Sequence, residues 1–283
     1  MQSYSILFLD IDGTILDSGN KVSAPLKRFL GKLNEEGIPV VLNSSRSPGG
    51  MLEIRKETGM QDPYISYGGS LILDGSNGIL FETGIPSDRA VELFHFISGL
   101  DADISVSFYV YDVWMTDCIA HPMIVREAEI TGCSPVECEL DKLPAPVDCV
   151  HKILCIGEHE QLEKIAERKA NDFPDMDFAF SKDDYLEIVS SEVSKGDAVR
   201  KVCGHYDIPL KEAVACGDGM VDLSMLKEVG LGIAMGNSPD ALKLAADQVT
   251  LSNEEDGLYV ALKELSFKKG DSVRQVQQGR QAQ

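Results

Sequence analysis

The chain has 283 residues, of which 43% are hydrophobic and 25% are charged, and its formal net charge is −20. This composition is typical of a soluble globular protein with one large domain or two smaller ones. Because so acidic a surface repels nucleic acid and anionic membranes, neither is expected as a partner. The sequence also has no apolar stretch near the ~20 residues that a membrane span needs.

The first predicted element is an apolar strand, 5–9, followed by Asp10-Ile11-Asp12-Gly13-Thr14. Side chains alternate across a strand, so Asp10 and Asp12 are expected to share one face at the edge where open α/β sheets bind ligands. A bound cation or a raised pKa relieves the repulsion between two such carboxylates. Both suit catalysis by a nucleophile at a magnesium ion and a general acid and base, and a solvated turn is the alternative.

Helices and strands then alternate up to about residue 83. The predicted elements are a helix that starts at Ser23 and Pro25 and ends at Gly37, a strand 38–42, a helix 48–58, and short strands 64–67 and 71–73. This alternation predicts a largely parallel sheet that is covered on both faces.

The pattern changes near residue 84. Ile104, Val106, Phe108 and Val110 alternate with polar or tyrosine positions, which predicts a sheet with one exposed face. Helices near 122–130 and 158–171, a strand 150–156 and a hairpin of 178–180 with 185–189 follow. We interpret residues 84–190 as an α+β unit inserted into an α/β core made of residues 1–83 and 191–265.

The α/β alternation resumes after the insert. The predicted elements are a helix 195–205 capped by Ser194, a strand 213–216 that leads into Gly217-Asp218-Gly219, a helix 221–229, a strand 231–235, and helices 239–246 and 257–265. Residues 266–283 are polar and lack periodicity, so they are expected to form a disordered tail.

The seven cysteines are irregularly spaced and include no Cys-x-x-Cys. Free thiols in a reducing compartment are therefore expected. Cys133 and Cys138 with His151 were considered as zinc ligands, but their spacing fits no common zinc pattern. Asp10 and Asp12 interrupt the apolar run that a signal peptide would need, so the predicted location is cytoplasmic.

Four separated segments resemble the motifs of the haloacid dehalogenase superfamily, in particular its Cof-type phosphatases of subfamily IIB. The motifs are Asp10-Ile11-Asp12-Gly13-Thr14, the strand that ends in Ser44, Lys195 in Val193-Ser194-Lys195-Gly196, and Gly217-Asp218-Gly219-Met220-Val221-Asp222. Ala234-Met235-Gly236-Asn237-Ser238 and Asp256-Gly257 also match. The resemblance covers about residues 5–262 and implies a Rossmann-like core with a large C2-type α+β cap.

The resemblance also implies a mechanism. Asp10 would attack phosphorus and form an aspartyl-phosphate, and Asp12 would act as general acid and then as general base. Mg²⁺ would be held by the Asp10 carboxylate, the Asp12 backbone carbonyl and Asp218. The phosphoryl group would be bound by Ser44 and Lys195. Arg46 and Asn237 are further candidate phosphate ligands in this sequence, apart from what the resemblance implies. Asp222 would orient Lys195 or a metal-bound water.

Each role has a simpler alternative. Ser44 could be a turn residue, Lys195 a solvated lysine in a first helical turn, and Asp218 with Asp222 an acidic pair at a helix N-terminus. A cation in the first turn is unfavourable against the helix dipole, which favours a functional role for Lys195.

Three positions depart from the family pattern. Val221 stands where an asparagine usually precedes the last aspartate, Asn43-Ser44-Ser45-Arg46 replaces Ala-Thr-Gly-Arg, and Tyr67-Gly68-Gly69 replaces Asn-Gly-Ala. Valine cannot hydrogen-bond a phosphate, so a weak phosphatase is expected. The alternative is that Val221 packs under its loop while Arg46 or Asn237 supplies the contact.

The predicted function is a Mg²⁺-dependent phosphatase that acts on small phosphorylated metabolites, with sugar phosphates as the favoured class. The inserted cap is expected to act as a lid. A sugar phosphomutase and a binding or regulatory protein of the same fold are the alternatives. The sequence predicts neither the substrate nor the oligomeric state.

Overall fold

The computed structural model describes residues 2–100, 102–143 and 147–270, which form two compact units. The core unit comprises the described residues of Met1–Arg46, Met51–Phe81 and Ser194–Gln283. The cap unit comprises those of Ser47–Gly50 and Glu82–Val193, compared with the insert 84–190 expected from the sequence. None of the helices in the described ranges is long and apolar enough to cross a membrane.

Strands and helices alternate in the first part of the chain. The elements are β1 (Ser3–Tyr4), β2 (Ile6–Leu9), α1 (Ala24–Glu35), β3 (Val40–Leu42), α2 (Pro48–Thr58), β4 (Tyr64–Ser66), β5 (Leu71–Leu73) and β6 (Ile79–Glu82). Helix α1 starts as predicted, because Ser23 Oγ accepts the backbone N–H of Leu26 and Pro25 occupies the first turn.

The cap unit is a mainly antiparallel sheet with helices. Its elements are β7 (Ile85–Pro86), α3 (Ser87–Ser98), β8 (Ser105–Val110), β9 (Val113–Thr116), α4 (Pro122–Thr131), β10 (Val136–Glu137), β11 (Cys149–Val150), β12 (Lys152–Ile156), α5 (His159–Ala166), α6 (Lys169–Asp172), β13 (Met176–Lys182) and β14 (Tyr185–Ser190). The strand order is β10-β9-β8-β12-β14-β13, and β13 with β14 is the predicted hairpin. Phe108 and Ile153 on one face pack with Leu93 of α3 and Leu162 of α5.

The prediction that this sheet has one exposed face was wrong at β8. Ser105 and Ser107 are buried, and Trp114 Nε1 donates a hydrogen bond to Ser107 Oγ at 2.8 Å. On the same face, Leu154 clusters with Ile156 and Tyr185, and Met123 of α4 packs against them. The serines therefore alternate with apolar residues without facing solvent.

The last part of the chain completes the core. Its elements are α7 (Lys195–His205), β15 (Ala213–Gly217), α8 (Leu223–Glu228), β16 (Leu231–Ala234), α9 (Asp240–Ala245), β17 (Gln248–Val249), α10 (Gly257–Leu262) and β18 (Ser266–Phe267). Within the described residues the main sheet has the order β17-β16-β15-β2-β3, and every neighbouring pair is parallel. Strands β2 and β15 are buried along their whole length, as expected for a parallel sheet covered on both faces.

The register of this sheet brings the predicted motifs to one edge. Leu9 at the end of β2 is paired with Leu42 of β3 and Cys216 of β15. The residues that follow these three strands therefore meet beyond their carboxyl ends, where ligands of such sheets bind.

The tail prediction was wrong at its start. Ser266–Phe267 forms a parallel pair with β1, and the Phe267 ring packs against the rings of Tyr4 and Phe29. The aromatic contact and the hydrogen bond from Lys268 N–H to the Tyr4 carbonyl order a segment whose composition is polar. Residues 271–283 lie outside the described residues.

Candidate active site

Lys195 lies between two buried carboxylates at this edge of the core. Its Nζ is 2.5 Å from Oδ1 of Asp10 and 2.6 Å from Oδ1 of Asp222. The side chains of Lys195, Asp10 and Asp222 are 3%, 10% and 1% exposed. Lys195 is the first residue of α7, and Ser194 caps this helix by accepting the N–H of Asp197. The alternative of a solvated lysine is thereby excluded.

Burial and charge perturb the ionisation of these side chains. The pKa of Asp10 is raised to about 7, first by burial and also by the carboxylates of Asp222 and Asp218. The ammonium of Lys195 lowers this pKa, but by less than these effects together raise it. Burial alone would lower the pKa of Lys195, but Asp10 and Asp222 outweigh it and raise that pKa, so the ammonium stays charged. The pKa of Asp218 is also raised, first by burial and then by Asp222. Three acidic side chains thus share one ammonium.

Asp222 organises the loop after β15. While Oδ1 of Asp222 faces Lys195, its Oδ2 accepts the backbone N–H groups of Asp218 at 3.0 Å and Gly219 at 2.9 Å. A β-carbon on Gly217 would lie 2.5 Å from the Asp222 side chain, so this approach requires glycine. Both oxygens of Asp222 therefore have partners, one on Lys195 and the other on the backbone of the loop.

Asp218 is held from the first motif and from the loop after β16. The hydroxyl of Thr14 donates to Asp218 Oδ1 at 3.2 Å. The amide of Asn237 donates to Asp218 Oδ2 at 3.2 Å and to the Gly13 carbonyl at 2.9 Å. Asn237 was expected to bind phosphate, but in this structure its amide nitrogen positions Asp218. Thr14 was part of the first motif, yet the sequence indicated no separate role for it.

The carboxylates of Asp10, Asp218 and Asp222 suit a hard divalent cation. One oxygen from each lies within 4.8 Å of the others. The single ammonium leaves this group with excess negative charge, and oxygen donors are the ligands that Mg²⁺ prefers. Asp10 and Asp218 belong to the expected ligand set, and metal binding by them stays a prediction. Both oxygens of Asp222 already have other partners.

Asp12 and Asp10 contact different side chains. Strand β2 ends at Leu9, so both aspartates lie in the loop that follows it. Asp12 instead pairs with Arg46, whose Nη2 is 2.6 Å from Oδ1 and whose Nε is 2.9 Å from Oδ2. Neither aspartate lies within the strand itself, and their carboxylates pair with different cations, Lys195 and Arg46. Arg46, expected as a phosphate ligand, contacts Asp12 here.

The second motif is tied to Lys195 through its backbone. Ser44 is 1% exposed, and its Oγ accepts the N–H of Arg46 at 3.2 Å. Asn43, which the sequence did not single out, donates from Nδ2 to the Lys195 carbonyl at 3.1 Å. Its position at the end of a buried strand was the available signal. Ser44 thus has a local structural contact, and its role as a phosphate donor stays a prediction.

Val221 does not pack under its loop. Its side chain is 58% exposed and that of the preceding Met220 is 46% exposed, in the short turn between Asp218 and Asp222. The alternative in which Val221 packs under its loop is therefore wrong, while supply of the contact by Arg46 or Asn237 stays a prediction.

A second group of candidate ligands lies in the cap unit and comprises Glu82, Cys149 and His151. Glu82 Oε1 is 3.5 Å from Cys149 Sγ and 3.1 Å from His151 Nε2. The backbone N–H of Tyr111 donates to His151 Nδ1, so the neutral ring carries its proton on Nε2. A metal at Nε2 would need the opposite tautomer, so the acceptor role of Nδ1 argues against a metal at this group. Among described residues, no candidate group contains Cys133 or Cys138, which were considered for zinc.

Comparison with known proteins agrees with the geometry of the site. A family model of haloacid dehalogenase-like hydrolases matches residues 7–262. A protein from Haemophilus influenzae is 30% identical over 263 residues, which covers 92% of this chain and 98% of that protein. The HMP-PP phosphatase of Yersinia pseudotuberculosis is 28% identical over 257 residues, covering 88% of this chain and 89% of the relative.

Solved structures lead to the same family. A haloacid dehalogenase-like hydrolase from Bacteroides thetaiotaomicron superposes with a TM-score of 0.81 at 27% identity, covering 92% of this chain and 99% of the other. The match spans both the parallel core and the inserted unit. This chain therefore belongs to the haloacid dehalogenase-like hydrolases, in their Cof-type group, and is a phosphoric monoester hydrolase.

Proposed function

We propose that the protein is a Mg²⁺-dependent phosphatase that hydrolyses small phosphorylated metabolites through an aspartyl-phosphate on Asp10. The observation that carries this proposal is the buried Asp10, which Lys195 holds by one oxygen beside Asp218. A carboxylate fixed in this way is oriented for in-line attack, and phosphoryl transfer depends mainly on such positioning and on electrostatic stabilisation.

In the first half-reaction, an Asp10 oxygen forms a bond to phosphorus while the bond from phosphorus to the leaving oxygen breaks. Asp12 gives that oxygen its proton. In the second half-reaction, Asp12 takes a proton from the attacking water, and the acyl-phosphate bond breaks to release phosphate and regenerate Asp10. The Ser44 hydroxyl and the Lys195 ammonium stabilise the charge on the phosphoryl oxygens.

Asp10 and Asp218 would hold the magnesium ion, with Asp222 orienting its neighbours. When bound, the ion supplies positive charge to the phosphoryl oxygens. This charge matters in a chain of net charge −20, which otherwise repels an anionic substrate.

The proposed substrates are small cytoplasmic metabolites. The Yersinia pseudotuberculosis relative is named for one such substrate, HMP-PP. Sugar phosphates remain the class favoured by the sequence. Release of inorganic phosphate across a panel of metabolites would identify the substrate, and conversion between sugar phosphate isomers would instead support a phosphomutase.

The proposal is tested by trapping the phospho-enzyme with a radiolabelled aryl phosphate. We expect label on Asp10, none in Asp10→Asn, and slow labelling in Asp12→Asn, because general acid help is worth roughly 10²–10⁴-fold. Asp240→Asn, at an exposed position in α9, is the control. Label on another residue, or full activity after exhaustive chelation of divalent metal, would refute the mechanism.

A further inference from the structure

The pairing of Arg46 with Asp12 occupies both oxygens of the proposed general acid. Arg46 Nη2 approaches Oδ1 at 2.6 Å, and Arg46 Nε approaches Oδ2 at 2.9 Å. While this two-point contact holds, two charge-assisted hydrogen bonds fix the orientation of the Asp12 carboxylate, and each oxygen keeps one further acceptor site. Turning Asp12 toward a leaving group would break at least one of these two bonds.

The side chains of Arg46 and Asp12 can separate while the backbone of Arg46 stays in place. The Arg46 N–H donates to Ser44 Oγ, and the Arg46 carbonyl accepts the N–H of Tyr67 at 3.1 Å. The side chains of Arg46 and Asp12 are 33% and 58% exposed, in contrast to the buried pair of Lys195 and Asp10. Ion pairs that reach solvent lose less on separation than buried ones, so the guanidinium can change partners at lower cost than the ammonium of Lys195 could.

A phosphate dianion is the natural competitor for this guanidinium. The planar fork of arginine binds carboxylates and phosphates with the same two-point geometry. Ser44, whose hydroxyl is the expected phosphate donor, lies only two residues before Arg46 and contacts its backbone. A phosphoryl group bound by Ser44 would therefore lie close to the segment that carries Arg46.

We infer that Arg46 is a positioning residue that exchanges Asp12 for the substrate phosphoryl group, so that Asp12 is released as an acid only when substrate is bound. The inference rests on the proposed function. In the free enzyme Arg46 occupies both Asp12 oxygens. In the complex Arg46 binds phosphoryl oxygens, and the released Asp12 takes up a proton from solvent, turns to the leaving oxygen and delivers that proton as the bond to phosphorus breaks.

If Arg46 exchanges Asp12 for phosphate, the affinity for inorganic phosphate should depend on Asp12. Because Asp12 competes for Arg46, Asp12→Asn should bind inorganic phosphate about two- to fivefold more tightly than the wild type, the range expected for release of an exposed ion pair. Arg46→Gln should bind phosphate about tenfold more weakly or worse, since it loses charge-assisted hydrogen bonds. In the double variant, Asp12→Asn should give no gain.

The experiment is a double-mutant cycle measured by titration calorimetry, with inorganic phosphate as the probe and Mg²⁺ present. Arg200→Gln, which removes an arginine of similar exposure that pairs with Glu228, is the matched control and should bind phosphate like the wild type. Arg46→Lys keeps the charge without the fork, and in that background most of the gain from Asp12→Asn should disappear.

Two outcomes would overturn the inference. An equal gain from Asp12→Asn with and without Arg46 would mean that the carboxylate acts only by charge repulsion. Unchanged phosphate affinity in Arg46→Gln would mean that Arg46 never moves to the phosphate. The cycle measures equilibrium binding, so it is independent of the labelling of Asp10 that tests the proposed function.

Discussion

A β-carbon on Gly13 would lie only 2.3 Å from Oδ2 of Asp218, and Gly13 has a φ of +81°. The first motif therefore needs glycine at this position for two separate reasons, the backbone conformation and the space that the Asp218 carboxylate fills. This contact links the sequence of the first motif directly to the position of a proposed metal ligand.

Gly13→Ala should displace Asp218 and strain the turn. We expect weaker Mg²⁺ binding and a large loss of kcat/KM, together with destabilisation by about 1 kcal/mol or more. Mg²⁺ titration and urea unfolding would measure these effects. Gly31→Ala, where an added β-carbon meets nothing within 4 Å, is the matched control. Unchanged metal affinity in a folded Gly13→Ala would contradict the proposed role of Asp218.

Lys195→Met should be strongly destabilising as well as inactive. The substitution leaves Asp10 and Asp222 buried without their cation, and removing one partner of a buried ion pair costs about 3–5 kcal/mol. Urea unfolding at neutral pH would measure the loss. Lys201→Met, which removes a partly exposed partner of Asp197 on the same helix, should cost about 1 kcal/mol or less. Equal losses in the two variants would argue against this account of the buried cluster.

The stability of the metal-free protein should depend on pH through Asp10. A carboxyl whose pKa is raised in the folded state favours folding below its unfolded pKa of 3.8, and this contribution is lost as the pH rises through about 7. The Tm of Asp10→Asn should therefore exceed that of the wild type at pH 8 by more than at pH 5, with a chelator present. Added Mg²⁺ should raise the wild-type Tm at pH 8. A difference between the two proteins that does not change with pH would contradict the raised pKa.

Val221→Asn should increase the phosphatase activity. Because the valine side chain is 58% exposed, asparagine fits without repacking the loop. A regained hydrogen bond to the phosphoryl group is worth about 1.5–3 kcal/mol, so a several-fold or larger rise in kcat/KM is expected. Met220→Asn, at the neighbouring exposed position, should give no rise. If Val221→Asn is folded and no faster, the missing contact is already supplied by another residue.

Much of the core could be predicted because local patterns and global topology agree there. Its strands are apolar with polar residues at their ends, and two of its helices follow the capping residues Ser23 and Ser194. These patterns are local, so the elements can be predicted without knowing which residues meet in the fold. The roles of Lys195, Asp218 and Asp222 followed from family motifs, and the structure brings these three side chains together with Asp10.

The errors arose where a distant partner decides the outcome. Ser107 fits an exposed position by alternation, but Trp114 satisfies its hydroxyl in a buried environment. The polar tail at Phe267 is ordered by the rings of Tyr4 and Phe29. For Arg46 and Asn237 phosphate binding stays a prediction, and only the fold shows that in the free protein they contact Asp12 and Asp218.

The order of strands in the main sheet also bears on how the chain is synthesised. Strand β15 lies between β2 and β16, although β2 is made before the cap unit and β15 after it. During translation, the apolar β2 therefore keeps one unpaired edge until the entire cap has been made. Such an edge invites association with other chains. We expect nascent chains that end near Val193 to depend on chaperones, and release of the last third of the protein to be the event that closes the sheet and assembles Asp10 with Lys195.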